Sequence, residues 1–336
     1  MPAAFGESRA DGTVECLLCA HHCRIASGQR GRCGVRANLR GTLISLVEKV
    51  ITGTALDPVE KKPLYHFLPG TRTFSIGSAG CNFSCLFCQN HEISRGPAED
   101  GKVTGRQADA DILVDLARRN CAESMAFTYN EPTIFFELMF GTAGLARKQG
   151  LRTIMVTNGF MGEECLMSLQ RRIDAANVDL KGFSESFYRK YCGGRLQPVL
   201  DNLKRMKAFG WWLEVTTLII PGVNDGSAEL RAAARFIRDE LGPDTPWHLT
   251  AFRKAYHMTD HPETPVGQLE DCWELARGEG LHFVYIGNVL SAVGGNTYCP
   301  NCNAVCIERQ GWHVRLKGPS AGICPACGTV LPGVWR

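Results

Sequence analysis

With 336 residues the chain has room for one large core and small appendages, since single hydrophobic cores stop growing near roughly 250–300 residues. Its formal charge of +3 is close to balance and Lys and Arg never run beyond two in a row, which excludes an electrostatic nucleic-acid footprint. No apolar run approaches the roughly 18 residues of a membrane span, and the opening MPAAFGESRADG lacks the basic-then-apolar layout of a secretory leader, so a soluble, cytoplasmic protein without a membrane partner is expected.

Residues 1–70 show no alternation of strand and helix patterns and are read as a small Cys-rich module. Its Cys16, Cys19, Cys23 and Cys33 offer four ligands, with His21 and His22 as substitutes, and the set suits either zinc or a second iron–sulfur cluster. Arg24, Arg30, Arg32 and Arg36 stand among them, as ordinary solvated charge or as contacts for an acidic substrate or partner.

From 71 to 295 the pattern changes. Short β-branched or aromatic runs predict strands at 73–78, 124–130, 152–158, 176–182, 212–222, 247–252 and 282–288. Between them DADILVDLARRN, TIFFELMFGTAGLARKQG, LQPVLDNLKRMKAFG and SAELRAAARFIRDELG carry apolar residues at helical spacing, several closing on a Gly suited to a helix end. Such βα repetition predicts an α/β fold, a partial (β/α)6-type TIM barrel, with chemistry in the loops after the strands' carboxyl ends. Polar residues stand at those places: Asn130 and Glu131, Thr157 and Asn158, Asp179 and Lys181, Thr216 and Thr217, Asn288, and His248 within the sixth strand. An open doubly wound sheet is the alternative, but no GxGxxG follows the first strand.

The first strand leads instead into a cysteine loop. Cys81, Cys85 and Cys88 come after Gly-Ser-Ala-Gly, where Gly77 and Gly80 are expected to let backbone approach a bulky inorganic group. Three thiolates suit soft metals, yet zinc and an all-cysteine [4Fe–4S] cluster each want four ligands. One iron would stay open to a small chelating molecule.

Residues 296–336 are read as a third unit. Cys299-Pro-Asn-Cys302 and Cys324-Pro-Ala-Cys327 form two knuckles at the spacing of a four-thiolate zinc ribbon, with zinc or iron as the occupant. A structural metal would replace the core that about 40 residues cannot build alone. Eleven of the sixteen cysteines are thereby placed; Cys306 is a spare thiol, and Cys121, Cys165, Cys192 and Cys272 read as small buried hydrophobes. Cys192, in Tyr191-Cys192-Gly193-Gly194, also places a thiol beside a glycine-rich, flexible loop.

The string CNFSCLFCQN (81–90), with its Cys-x3-Cys-x2-Cys spacing and the aromatic Phe87, resembles the radical S-adenosylmethionine (SAM) enzymes. CLLCAHHC (16–23), GRCGVRAN (31–38), FTYNEPT (127–133), VTNGF (156–160), VDLKGF (178–183), LEVTTLIIPGVND (213–225) and NTYCPNC (296–302) extend the likeness to the radical SAM member of the AmmeMemoRadiSam system, a group similar to pyruvate formate-lyase activating enzymes. That resemblance implies a [4Fe–4S] cluster on Cys81, Cys85 and Cys88, and SAM contacts from Phe87, Asn130, Glu131, Asn158, Asp179 and Lys181. The family's Gly-Gly-Glu motif is replaced here by Tyr129-Asn130-Glu131-Pro132, which leaves Glu131 as the amine partner by position. It implies reductive SAM cleavage to a 5′-deoxyadenosyl radical that abstracts hydrogen from a substrate, a flavodoxin- or ferredoxin-type reductant, and a Memo-type partner protein. The alternatives are a glycyl-radical activase and a zinc-binding scaffold without catalysis.

Overall fold

The computed structural model describes residues 2–318 and 322–335. Parallel strands covered on both faces are buried along their length, and the strands of this chain are buried at most of their positions. They are β1 (Arg72–Gly77), β2 (Ser124–Phe127), β3 (Arg152–Thr157), β4 (Ala175–Asp179), β5 (Trp212–Ile219), β6 (Trp247–Ala251) and β7 (Val284–Gly287). Each pairs in parallel with its chain neighbours, giving the order β7-β6-β5-β4-β3-β2-β1. The two edges do not join, so the sheet curls as an open, partial barrel.

The helices return each strand to the next. After the cysteine loop comes α1 (His91–Glu99); α2 (Ala110–Arg119) precedes β2, and α3 (Phe136–Lys148) and α4 (Glu163–Leu169) follow β2 and β3. Then come α5 (Gln197–Ala208), α6 (Ser227–Phe236) and α7 (Val266–Gly278). The apolar stripe of α2, Leu113, Val114 and Ala117, packs into the barrel's hydrophobic mantle. Each fully buried Leu or Val on such a stripe stabilises by roughly 1.5–3 kcal/mol.

Two boundaries move for a physical reason. The second strand ends at Phe127 because Tyr129 turns left-handed (φ +71°). The helical stretch after it begins as a 3-10 turn, Pro132–Phe135, capped by the Glu131 side chain. A further strand, Gly53–Pro58, pairs antiparallel with β1 and carries buried Asp57. That carboxylate accepts from Lys62 Nζ (2.7 Å), Ser75 Oγ (2.9 Å) and Tyr129 Oη (2.8 Å), which fastens the edge strand to the top of β2.

Both Cys-rich ends are docked on this core. The segment 6–25 forms a three-stranded antiparallel sheet, and the Leu18 and Phe160 carbonyls accept from Gly162 and Ala20 across to the loop after β3. Arg36, fully buried, pairs with Glu137 at 2.7 Å. At the opposite, amino-terminal end of the strands, Glu214 of β5 accepts from the backbone N–H of Tyr65 and His66, from Trp212 Nε1 and from His248 Nε2. His66 Nδ1 donates to the Pro332 carbonyl, so the same network holds the C-terminal ribbon.

Candidate active site and metal-binding cysteines

The cysteine loop leaves β1 at the carboxyl edge of the sheet, where barrel chemistry is expected. Asn130 fixes its entrance: Oδ1 accepts from Ser78 N (3.0 Å) and Nδ2 donates to the Gly80 carbonyl (2.8 Å). Gly80 has φ +91°, and a Cβ there would stand 2.8 Å from the Cys33 carbonyl and 2.9 Å from Val35. A Cβ on Gly77 would meet Tyr129 and the Thr128 carbonyl at 2.9 Å. The two glycines therefore make room for this chain's own backbone and for Tyr129, whereas the sequence suggested room for an inorganic group.

Cys85 is buried, Cys81 and Cys88 half-buried, and burial raises the Cys81 and Cys88 thiols. Cys85 is raised first by the neighbouring Cys192 thiol and then by burial. Loading with a cation would displace these protons, because thiolates are the ligating form. The surroundings suit thiolates: Phe83 N points at Cys81 Sγ (3.4 Å) and Asn158 Nδ2 stands 3.9 Å from it. The donor set and its cationic neighbour Lys181 fit an iron–sulfur group.

Lys181 Nζ lies 3.0 Å from Asp179 Oδ2 and 5.9 Å from the centre of the Phe87 ring. Burial alone would lower the ammonium, but Asp179, Cys85 and Cys192 outweigh it and raise it well above its ordinary value. Phe87 is buried and packs against Phe187.

Glu131 is buried, and its carboxyl is raised by that burial. Oε1 accepts from Thr133 N and Oγ1 and from Thr157 Oγ1; Oε2 accepts from Asn158 N (2.7 Å). Asn158 in turn donates to Asn82 Oδ1 (2.7 Å) and accepts from Phe160 N. Glu131, Thr157, Asn158 and Asn82 thus form one chain ending beside Cys81. Asn82, whose Nδ2 also donates to the Phe160 carbonyl, was not singled out from sequence, and an Asn between two ligands carries no pattern that would single it out.

Other expected residues lie elsewhere. His248 sits second in β6 and bonds Glu214 at 2.6 Å, below the mouth. Thr216 and Thr217 spend their hydroxyls on Asn177 and the Leu180 carbonyl. Asn288, left-handed at φ +64°, donates to the Ala251 carbonyl at 3.5 Å. Cys165, Cys192 and Cys272 are buried as expected, but Cys121, left-handed after α2, is exposed. The arginines also divide: Arg36 is a buried ion pair and Arg24 bonds Asp11, leaving Arg30 and Arg32 to line a cavity of about 780 Å³ with Arg95, Asn82 and Ser84.

In the ribbon, Cys299, Cys302, Cys324 and Cys327 bring their sulfurs within 4.8 Å of one another, the one such group of metal-ligating side chains among the described residues. Sγ pairs 299–327 and 302–324 stand 3.6 and 3.5 Å apart, close to the edge of a tetrahedron about one ion with bonds of about 2.3 Å. The Thr329 hydroxyl draws Cys327 down to about 6. Buried Cys306 stays outside the four.

The sequence profile of the Radical SAM superfamily matches residues 75–237. An uncharacterized protein of Methanocaldococcus jannaschii is 42% identical over 314 residues, 94% of this chain and 93% of that protein. The isethionate sulfite-lyase activating enzyme of Nitratidesulfovibrio vulgaris is 28% identical, over 67% of this chain and 93% of its own length. Among solved structures, Streptococcus suis SuiB bound to S-adenosylmethionine shares the fold, with a TM-score of 0.51 and 12% identity over 68% of this chain and 53% of that one.

Proposed function

The chain belongs to the radical SAM superfamily, and from that premise we propose that it is an enzyme whose Cys81, Cys85 and Cys88 hold a [4Fe–4S] cluster with SAM on its open iron. When bound, that pair supplies reductive cleavage of SAM to methionine and a 5′-deoxyadenosyl radical, which abstracts hydrogen from the substrate. The observation that carries the reading is the placement of three buried or half-buried thiols at the carboxyl end of β1, beside the Asp179–Lys181 pair.

The chain's own residues orient and shield. Lys181, held protonated, pairs with the methionine carboxylate; Asp179 accepts from ribose hydroxyls with the oxygen that Lys181 leaves free. Phe87 flanks the adenine. Glu131 Oε2, bonded only by Asn158 N, retains capacity to accept from the methionine amine, while Asn130 and Asn158 hold the loops around it. The barrel wall excludes water. A flavodoxin- or ferredoxin-type protein delivers the electron, and the ribbon holds a structural zinc.

The finer assignment is the radical SAM member of the AmmeMemoRadiSam system, acting with a Memo-type partner; it rests on the motifs running from CLLCAHHC to NTYCPNC. Likeness to an activating enzyme over two thirds of the chain favours a second reading, a glycyl-radical activase. Co-expression with a glycyl-radical protein separates them, since only the activase installs a backbone radical. The first test is anaerobic reconstitution, reduction and assay of 5′-deoxyadenosine. Wild type is expected to form it and Cys85→Ala to lose it at least 100-fold; a cluster-loaded wild type that forms none would leave a metal-binding scaffold.

A further inference from the structure

We propose that Cys16, Cys19, Cys23 and Cys33 form a second iron–sulfur site, built by the N-terminal module and set against the cysteine loop of the first. The inference concerns a separate site and stands whether or not SAM is cleaved.

The local fold gathers these four residues. Cys16 ends one strand and Cys23 begins the next, and they are direct antiparallel partners, so their side chains leave the same face about 5 Å apart. Cys19 lies in the connection between them and pairs with Met161 of the loop after β3. A tight turn brings back the fourth: Gly34 N bonds the Gly31 carbonyl, and a Cβ on Gly31 would lie 3.6 Å from Cys23 Sγ. Cys16, Cys19 and Cys33 are buried and Cys23 half-buried, and all four are free thiols. Four free thiols, two of them part of the hydrophobic core, are thus brought together from one short stretch of chain as soft ligands.

At the neighbouring loop one backbone amide is bonded to a sulfur, Phe83 N to Cys81 Sγ at 3.4 Å, a contact of the kind that stabilises a thiolate over a thiol.

Spacing decides between one ion and a cluster. Zinc with bonds of about 2.3 Å wants sulfurs about 3.8 Å apart, and the ribbon meets this. No three of the N-terminal four come within 4.8 Å of one another, and neither do Cys81, Cys85 and Cys88. A cluster is a larger body whose irons stand at separate corners, so its thiolates are spread more widely than around one ion. By that criterion the N-terminal set keeps company with the loop at 81–88 and not with the ribbon.

The placement gives the site a neighbour. The Cys33 carbonyl abuts Gly80, and His21 Nε2 bonds the Asn82 carbonyl at 2.7 Å, so residues on either side of Cys81 touch the module that carries the second set.

The test removes the first site and counts the metal that remains. The full-length chain with Cys81→Ala, Cys85→Ala and Cys88→Ala is reconstituted anaerobically with iron and sulfide in the presence of equimolar zinc, then assayed for iron, sulfide and zinc. It is expected to keep about half of the wild-type iron and sulfide. Adding Cys19→Ser and Cys33→Ser should cut the remaining iron at least tenfold, while zinc and the circular-dichroism spectrum stay unchanged and so report an intact fold. A folded triple variant without iron overturns the proposal. So does iron that persists in the five-fold variant, or zinc in place of iron in the triple variant, or a Cys16–Cys23 disulfide in protein handled anaerobically. Wild type that cleaves no SAM while the triple variant keeps its iron would sink the catalytic reading and leave this one standing.

Discussion

Glu214→Ala tests the buried knot beneath the barrel. The carboxylate is fully buried and accepts from four donors: Tyr65 N at 2.9 Å, His66 N at 2.8 Å, Trp212 Nε1 at 2.9 Å and His248 Nε2 at 2.6 Å. Each donor left without a partner costs about 1–3 kcal/mol, and water entering the vacated space would recover part of it. A loss of at least about 3 kcal/mol is expected. For a chain of this size that corresponds to a fall in Tm of roughly 6 °C or more at about 2 °C per kcal/mol. Because His66 also carries the Pro332 carbonyl, the ribbon should loosen as well and release its metal to a chelator faster than wild type. Differential scanning calorimetry and a chelator time course measure the two effects. A Tm within 2 °C of wild type, with unchanged metal release, would refute the claim that this carboxylate holds the two parts together.

Three further perturbations have readable signs. His66 is pulled down to about 4 by burial, against an ordinary 6.5, so the unfolded chain takes up the proton first; stability is complete above about pH 6.5, falls by roughly 3 kcal/mol as the pH drops to about 4, and is flat below. Urea unfolding against pH should show that slope in wild type and lose it in His66→Gln, and equal slopes would contradict it. Lys181→Met removes the cation that neighbours Asp179 and Cys85 and should raise the Kd for SAM at least tenfold with iron content unchanged, as equilibrium dialysis would show. Cys302→Ser should abolish metal retention at the ribbon and lower Tm while the iron content of the reconstituted protein stays unchanged, by elemental analysis.

The parallel strands were legible because short β-branched or aromatic runs such as SMAF or RTIMVT alternate with stretches of helical spacing and do not carry that spacing themselves. Their ends were not, since Tyr129 leaves the strand by a left-handed turn that no composition rule anticipates. The strand Gly53–Pro58 escaped for a related reason: GTALDP shows no alternation, and its place beside β1 depends on Asp57 meeting Ser75 and Tyr129 from other segments. Cysteine spacing disclosed all three thiol sets, but only geometry separated the compact ribbon from the two wider ones. The arginines among residues 24–36 look alike in sequence; one is buried against Glu137, 101 residues on, and such a partner is invisible locally.

The polar residues around the mouth divide into those that hold loops and those with capacity to spare. Asn130 uses both ends of its amide on the turn before Cys81, and Asn158 uses its backbone N–H, its carbonyl oxygen and its amide nitrogen on Glu131, Phe160 and Asn82. Glu131 spends three acceptances on one oxygen. A ligand entering here therefore meets a mouth whose framework is already satisfied, and it gains binding energy from the few groups that are not: one lone pair of Glu131, the free oxygen of Asp179, Lys181 and the thiols. Preorganisation of this sort lowers the ordering cost of binding, and it also makes the framework intolerant. Asn158→Ala would leave Asn82 Oδ1 and Phe160 N buried without that partner, next to Cys81, so under the proposed assignment it should lower the iron retained after reconstitution before it weakens SAM binding. The Gly80–Cys33 and Asn82–His21 contacts join the same framework to the N-terminal module, so a change on either side of Cys81 is expected to disturb both thiol sets.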